Sequence, residues 1–274
     1  MAAIDLSNDQ AAGLRRLFGA RAPQVVAFAS GREACGRTTL LVQSAAALAM
    51  AGYGVVIVDE NPAPNNAVSA FGLTARYDLI NVLHGDRSLR QISLQAAPLV
   101  RIVPAARAAR DLDHADGETR ARLDAVLREI QTGAGFVLID SAPRRGGHLS
   151  ALSLAARHLA IIVAAHPSSI KHSYELIKRM AQERGRDGFQ VVITRARAKE
   201  EARAIFENMK RLAHESLGVR LDFLGASMVP VTEHIGDALV TRLPPTLDDP
   251  DTGGFVFGLR QPGLMPRTLG GRAP

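Results

Sequence analysis

The chain has 274 residues, of which 47% are hydrophobic and 22% charged, a balance typical of a globular protein with a full core. No apolar run approaches the ~20 residues of a membrane-spanning helix, and the start MAAIDLSNDQ lacks the pattern of a secretory signal. The single cysteine, Cys35, excludes an internal disulfide. We therefore expect a cytoplasmic location. The net charge of +6 comes mainly from scattered arginines without an aromatic-interleaved basic patch, which argues against nucleic-acid binding.

The first twenty residues predict a short helix. Ser7 followed by Gln10 fits a capping box, and Leu14 and Phe18 share one helical face. A helix of this length is only marginally stable by itself, so its apolar face must be buried against its own domain or a partner. We therefore treat residues 1–21 as a separate helical segment.

The middle of the chain alternates short apolar runs with amphipathic stretches of helical length. The predicted strands are 24–30, 55–59, 99–105, 136–140, 159–165, 189–195 and 222–228. The predicted helices are 38–51, 78–84, 117–131, 169–185 and 199–217. Strands that are apolar throughout are expected when both faces of a sheet are covered, so the pattern predicts a doubly wound, mostly parallel α/β sheet of about seven strands. Ligands of such sheets bind at the carboxyl ends of the strands.

The last part of the chain differs from this α/β pattern. Residues 244–274 contain many of the prolines and glycines, and we expect them to form a flexible tail. Because no linker or internal repeat interrupts residues 22–243, this part is predicted to be one domain.

A phosphate-binding loop is predicted after the first strand. Gly31-Arg32-Glu33-Ala34-Cys35-Gly36-Arg37-Thr38-Thr39 follows a strand and precedes a helix, as in the motif G-x-x-x-x-G-K-[ST]. Backbone N–H groups of such a loop face phosphate oxygens, and the Thr38 hydroxyl would reach Mg²⁺. Arg37 replaces the lysine, and its planar guanidinium is a poorer match to the β- and γ-phosphates. Two alternatives remain: the glycines only form a turn, and Cys35 is a redox thiol rather than a small loop residue.

The loop resembles the deviant phosphate loop of the MinD/ParA ATPases, K-G-G-x-G-K-T-[TS]. In that family the first lysine reaches across a nucleotide-sandwich homodimer, so the resemblance implies ATP or ADP, Mg²⁺ and a homodimer. Arg32 stands at the position of that lysine, and Glu33 and Ala34 replace two glycines. The carboxylate of Glu33 would repel a polyphosphate, which weakens the expectation of tight ATP binding.

Two strand ends resemble the metal and water sites of the same family. Asp59-Glu60-Asn61 is similar to its D-x-D switch, in which the first Asp lies near the metal and the second orients the attacking water. Asn61 cannot accept a proton, and this change should slow hydrolysis by about 10²–10⁴-fold. FVLID, ending at Asp140, is similar to the Walker B strand, although a buried carboxylate that only caps a strand is the alternative. The resemblance thus implies a metal site of Thr38, Asp59 and Asp140, and a catalytic set of Asp59 with the degenerate Asn61 and Arg37.

Segments after the fifth and sixth predicted strands match family segments that flank the adenine, with Thr194, Arg195 and Pro230 at the corresponding positions. The resemblance covers residues 22–240. The nucleotide-binding residues that it implies are Gly31, Arg32, Cys35, Gly36, Arg37, Thr38, Thr39, Thr194, Arg195 and Pro230.

The N-terminal helix carries a more specific resemblance. Residues 9–15, Asp-Gln-Ala-Ala-Gly-Leu-Arg, match the D-Q-A-x-x-L-R motif of the flagellar number regulators called FlhG or FleN. In that family the helix activates FlhF, a GTPase of the signal-recognition-particle type. The implied partners are an FlhF-type GTPase and other flagellar assembly or regulatory proteins, contacted through Asp9, Gln10, Leu14 and Arg15. The alternative is that Gln10 only caps its own helix.

Many members of this family end in an amphipathic helix that binds the membrane. Here Pro262 and Pro266 interrupt the C-terminal sequence, so a continuous helix is not expected. Any location at the membrane or the cell pole would then depend on partners.

Three functions are compatible with the sequence. The first is an FlhG-like regulator of flagellar number or placement with weak or absent ATP hydrolysis. The second is an active MinD/ParA-type ATPase switch, and the third is a MinD-like scaffold of cellulose synthesis or export machinery. Only the first accounts for residues 9–15.

Overall fold

The computed structural model describes residues 22–243, apart from residues 33, 113–114, 143, 145–146 and 229–234. The predicted N-terminal helix with Asp9, Gln10, Leu14 and Arg15, the predicted tail, Glu33 and Pro230 lie outside the described residues.

One sheet of eight strands runs through the domain in the order β3-β4-β2-β5-β1-β6-β7-β8. The strands are β1 (Gln24–Ala29), β2 (Val55–Asp59), β3 (Leu94–Ala97), β4 (Val100–Pro104), β5 (Phe136–Asp140), β6 (His158–Ala164), β7 (Gly188–Ala196) and β8 (Arg220–Met228). All paired neighbours are parallel except the antiparallel edge pair β3–β4. The predicted doubly wound, mostly parallel sheet is confirmed.

The helices of the described residues cover both faces of this sheet. They are α1 (Arg37–Met50), α2 (Ala67–Ala70), α3 (Leu79–Leu83), α4 (Leu89–Ile92), α5 (Ala106–Asp111), α6 (Gly117–Gln131), α7 (Ala151–Ala155), α8 (Pro167–Arg184), α9 (Lys199–Leu217) and α10 (Ile235–Arg242). Successive residues of β1 show the two layers, since Val25 packs in the core under α3–α9 and Val26 packs in the core under α1, α2 and α10. Every residue of β1, β2 and β5 is buried, which is the reason for their continuous apolar sequences.

The sequence prediction missed β3 and five short helices. Leu94–Ala97 lacks β-branched residues, and it becomes a strand because the chain turns back at Leu99, where φ is 63°, and pairs with β4. The missed helices α2, α4, α5, α7 and α10 have eight residues or fewer, too few to display a helical periodicity. No helix among residues 22–243 that the structure describes is long and apolar enough to cross a membrane.

A histidine at the start of β6 is held neutral by its surroundings. Nε2 of His158 lies 2.8 Å from Oε1 of Gln24, consistent with a neutral ring that donates this hydrogen bond. Burial, and then the charges of Arg157 and Arg186, lower the pKa of His158 to about 4. The folded protein therefore resists protonation of a ring that an unfolded chain protonates readily below pH ~6.5.

We expect this histidine to make the protein less stable in acid. As the pH falls from about 6.5 towards 4, the unfolded chain binds a proton that the folded chain does not, so the free energy of unfolding should fall by up to about 3 kcal/mol. His158→Gln keeps a side-chain N–H for Gln24 and should lose less stability over the same range. Urea denaturation at pH 4.5, 5.5 and 7.5 measures both proteins; equal acid losses would contradict the prediction.

Candidate functional site

The predicted phosphate loop joins β1 to α1 at the carboxyl edge of the sheet. Gly36, with φ at 79°, is the N-cap of α1, and no described side chain caps this fourteen-residue helix. The first backbone N–H groups of α1 are therefore available to an anion at the loop. This geometry is compatible with a bound phosphate at the predicted position.

Gly31 is required at the start of the loop by close packing. A Cβ atom at this residue would lie 2.3 Å from the backbone carbonyl carbon and oxygen of His172 in α8. Any larger residue would therefore separate the loop from α8. The structure thus shows that Gly31 is needed for its lack of a side chain.

Arg37 is turned inwards against the end of β5. Its Nε donates to Oδ1 of Asp140 at 2.5 Å, and Nη1 lies 3.4 Å from the hydroxyl of Ser30. Its neighbour Thr38 donates from Oγ1 to Oδ2 of Asp140 at 2.7 Å. Both oxygens of Asp140 are thus occupied by the start of α1, and the guanidinium is buried.

The carboxylate of Asp59 lies beside this ion pair, because Asp59 and Asp140 are register partners on β2 and β5. Its oxygens accept backbone hydrogen bonds from Asn61 at 3.1 Å and from Val68 at 2.9 Å. Burial, and then the nearby charge of Asp140, raise the pKa of Asp59 to about 7. The two strand ends therefore bring two carboxyl groups to one place.

Asn61 is tied into the same site. Its Nδ2 donates to the Thr38 hydroxyl at 3.3 Å, and its Oδ1 accepts from the backbone N–H of Ala63 at 3.1 Å. Both polar atoms of the amide are therefore hydrogen-bonded within the protein. It offers no carboxylate that could take a proton from water.

The oxygen ligands at this site suit Mg²⁺. The hydroxyl of Thr38 would contact the ion, and Asp59 and Asp140 would bind through its waters, provided that Arg37 releases Asp140. Among the described residues no cluster of three His, Cys, Asp or Glu side chains could hold a metal unaided. Phosphate oxygens of a nucleotide would therefore have to complete the coordination shell.

Contacts of Cys35 with Thr194 and with α8 fix the position of the loop. Oγ1 of Thr194, at the end of β7, donates to the Cys35 carbonyl at 2.9 Å, and the Cys35 thiol lies 3.4 Å from the hydroxyl of Ser169. Cys35 is buried, as expected for a small packing residue. Arg195 and Thr39 are exposed at the same edge.

Arg32 does not face the centre of the loop. Its Nη1 donates to the hydroxyl of Ser168 near the start of α8, at 2.5 Å, and the side chain is exposed. This places the guanidinium on the protein surface beside the loop. A side chain in this position is accessible to a second molecule.

Sequence reasoning missed the buried carboxyl group of Glu60. It lies between the two switch residues and accepts hydrogen bonds from the hydroxyls of Ser150 and Ser153. Burial raises the pKa of Glu60 to about 7, although the two serine hydroxyls act in the opposite direction. The available signal was a second acidic residue directly after the acidic last residue of β2.

Comparison with known proteins supports the fold. The sequence profile of a family described as AAA domain matches residues 23–186. The antiactivator FleN of Pseudomonas aeruginosa is 29% identical over 216 residues, which are 79% of this chain and 76% of FleN. Among solved structures, MinD of Pyrococcus horikoshii complexed with Mg-ADP has a TM-score of 0.54 at 17% identity, covering 82% of this chain and 90% of MinD. A Borrelia burgdorferi plasmid partition protein bound to AMPPNP has a TM-score of 0.59 at 14% identity, covering 80% of this chain and 99% of that protein.

The chain belongs to the AAA domain family. Its sequence is similar to that of FleN, and its fold is similar to that of MinD and plasmid partition proteins, so the resemblance to the MinD/ParA family and to FleN is confirmed.

The buried ion pair between Arg37 and Asp140 predicts a large stability effect. Asp140→Ala leaves the buried Arg37 guanidinium unpaired and should lower the free energy of unfolding by about 3–5 kcal/mol. The double variant Arg37→Met with Asp140→Leu replaces both charges by apolar side chains and should recover most of that loss. Urea denaturation compares the variants. A single variant as stable as the double one would show that the pair is not desolvated.

Proposed function

We propose that the chain is a FleN- or FlhG-like regulator of flagellar number or placement, which acts through protein contacts and carries an ATP site of weak or absent hydrolysis. The observation that carries this proposal is the D-Q-A-x-x-L-R motif of residues 9–15, directly before a MinD/ParA-type domain that resembles FleN over 79% of the chain. A short motif can arise by chance, and a MinD/ParA-type domain also suits a scaffold of another machine. The combination of the two in one chain favours the flagellar regulators.

The proposed nucleotide site binds ATP or ADP, with Mg²⁺ held by Thr38 and, through water, by Asp59 and Asp140. Support comes from the uncapped start of α1 and from the convergence of a hydroxyl and two carboxyl groups. Adenine would lie near Thr194, Arg195 and Pro230. The proposal of a magnesium nucleotide is also supported by MinD of P. horikoshii, which has a similar fold and is complexed with Mg-ADP.

Slow hydrolysis follows from two side chains. Arg37 must abandon a buried carboxylate before it can contact phosphate, and Asn61 lacks the basic oxygen that would orient and deprotonate water. Transition-state charge in phosphoryl transfer is normally stabilised by a mobile cation at this lysine position. The site would therefore bind nucleotide more readily than it cleaves it.

The partner contacts are proposed to lie in residues 1–21, with residues 22–243 forming the MinD-like domain and residues 244–274 a flexible tail. Gln10 would reach into the catalytic site of an FlhF-type GTPase, flanked by Asp9, Leu14 and Arg15. Other flagellar assembly or regulatory proteins would bind the domain, and a homodimer across the nucleotide face would use the exposed Arg32. We propose a cytoplasmic protein that reaches the membrane or cell pole through these partners.

An active ATPase switch is the second candidate. Thr38, Asp59 and Asp140 still converge at the strand ends, and these are the groups that a magnesium nucleotide requires. The measured hydrolysis rate separates this function from the first.

The first functional prediction concerns Gln10. Gln10→Ala should abolish stimulation of an FlhF-type GTPase, because the helix then lacks the polar side chain beside the bound nucleotide. Asn8→Ala, next to the motif but outside it, is the matched control and should retain stimulation. GTP turnover by the GTPase with each purified variant gives the result, and full stimulation by Gln10→Ala would refute this partner assignment.

The second functional prediction concerns ATP. Combining Arg37→Lys with Asn61→Asp restores the ammonium and the carboxylate of the family pattern and should raise the single-turnover rate by about 10²-fold or more. Adding Asp59→Asn should remove the gain, since the metal then loses a carboxylate. A wild-type protein that hydrolyses ATP as fast as the restored variant would favour the active switch.

A further inference from the structure

Glu60 is the centre of a buried polar cluster that the nucleotide site described above does not use. Its Oε2 accepts from the Ser153 hydroxyl at 2.9 Å, and its Oε1 accepts from the Ser150 hydroxyl. The Ser153 hydroxyl also contacts that of Ser141. Glu60 is 2% exposed and the three serines 1% or less.

These four residues come from three separate parts of the chain. Glu60 follows the last residue of β2, Ser141 follows the last residue of β5, and Ser150 and Ser153 lie at the beginning of α7. Ser150 is also the N-cap of α7, where its side chain accepts the backbone N–H of Ser153. The cluster therefore connects the two strand ends that carry Asp59 and Asp140 with the helix that comes next in the chain.

Placing a carboxyl group at this buried position costs free energy. Burial of a polar group costs free energy unless it is hydrogen-bonded, and an apolar side chain would complete β2 without that cost. The cost is offset only while both serines of α7 remain in place. An arrangement of this kind specifies one relative position of the segments, because the buried groups are hydrogen-bonded only in that position.

We propose that Glu60 is a positioning residue that couples the segment after β2 to α7, so that the segments that follow Asp59 and Asp140 move as one unit. Glu60 sits between Asp59 and Asn61, and Ser141 is adjacent to Asp140. A displacement at Asp140 is passed through Ser141 and Ser153 to Glu60, and from there to Asn61. The surface of α7 thereby responds to the contents of the nucleotide site, a role that rests on the proposed nucleotide binding.

The coupling is tested first in the protein without nucleotide. Amide hydrogen exchange is measured over residues 61–70 and 147–155 in wild type, Glu60→Ala, Glu60→Gln and Ser153→Ala. Loss of the acceptor should increase opening about tenfold or more in both segments together, since such a hydrogen bond to a charged group is worth about 1.4 kcal/mol or more. Glu60→Gln keeps one acceptor and gains one donor for the serines, so its exchange should stay near wild type.

Two further variants serve as controls for the exchange experiment. Leu221→Ala in β8 creates a cavity far from the cluster and should not concentrate its effect in those two segments. If Glu60→Ala does not fold, Ser153→Ala, which leaves the Ser150 cap intact, carries the test. Faster exchange confined to residues 61–70, or a Glu60→Gln variant that behaves like Glu60→Ala, overturns the coupling.

The second measurement compares the affinities for AMPPNP and ADP by calorimetry. A positioning role predicts that Glu60→Ala changes the ratio of the two dissociation constants about tenfold, whereas Leu221→Ala leaves the ratio unchanged. An unchanged ratio in Glu60→Ala overturns the link to the nucleotide site. Wild-type protein that binds neither nucleotide overturns the proposed nucleotide function, and the exchange pattern then still decides whether the two segments are coupled.

Discussion

The arrangement of the site depends on the contacts of one buried group, the carboxylate of Asp140. It accepts from Arg37 and from Thr38, the first two residues of α1, while parallel pairing of β2 with β5 places Asp59 beside it. A desolvated charge is stable only when it is paired, so the start of α1 and the end of β5 must stay together. The same contacts hold the end of the loop between β1 and α1, which we propose binds phosphate.

This ion pair also defines what a nucleotide would have to displace. A lysine exchanges easily between a carboxylate and a phosphate because its ammonium is a compact charge on a flexible stem, whereas the planar guanidinium of Arg37 binds its partners with stricter geometry. In the proposed function, Arg37 therefore slows the change from the resting to the phosphate-bound arrangement. In the same proposal, Asn61 slows the chemical step. The proposed site therefore favours nucleotide binding over hydrolysis, and regulation is proposed to depend on protein contacts.

The cluster around Glu60 connects the candidate site to other parts of the domain. Asp59, Glu60 and Asn61 are consecutive, but their side chains contact three different helices: α2, α7 and α1. A change at any one of these contacts has to be accommodated at the others. Under the proposed coupling, the end of β2 is the place at which the state of the nucleotide site reaches α7.

The sequence by itself determined the parallel α/β core, the phosphate loop and the identity of its substituted positions. Continuous apolar strands are a direct consequence of burial on both faces, so β1, β2 and β5 could be predicted from residue type alone. The resemblance of residues 31–39, 59–61 and 140 to the MinD/ParA pattern likewise requires no coordinates. Only the tertiary structure decided that Arg37 turns to Asp140 and that Gly31 is needed for contact with α8. It also decided that Glu60 meets serines about ninety residues away, as the separation between Glu60 and Ser150 shows. These are choices between alternative partners, and local sequence cannot make them because each depends on which strands and helices the fold brings side by side.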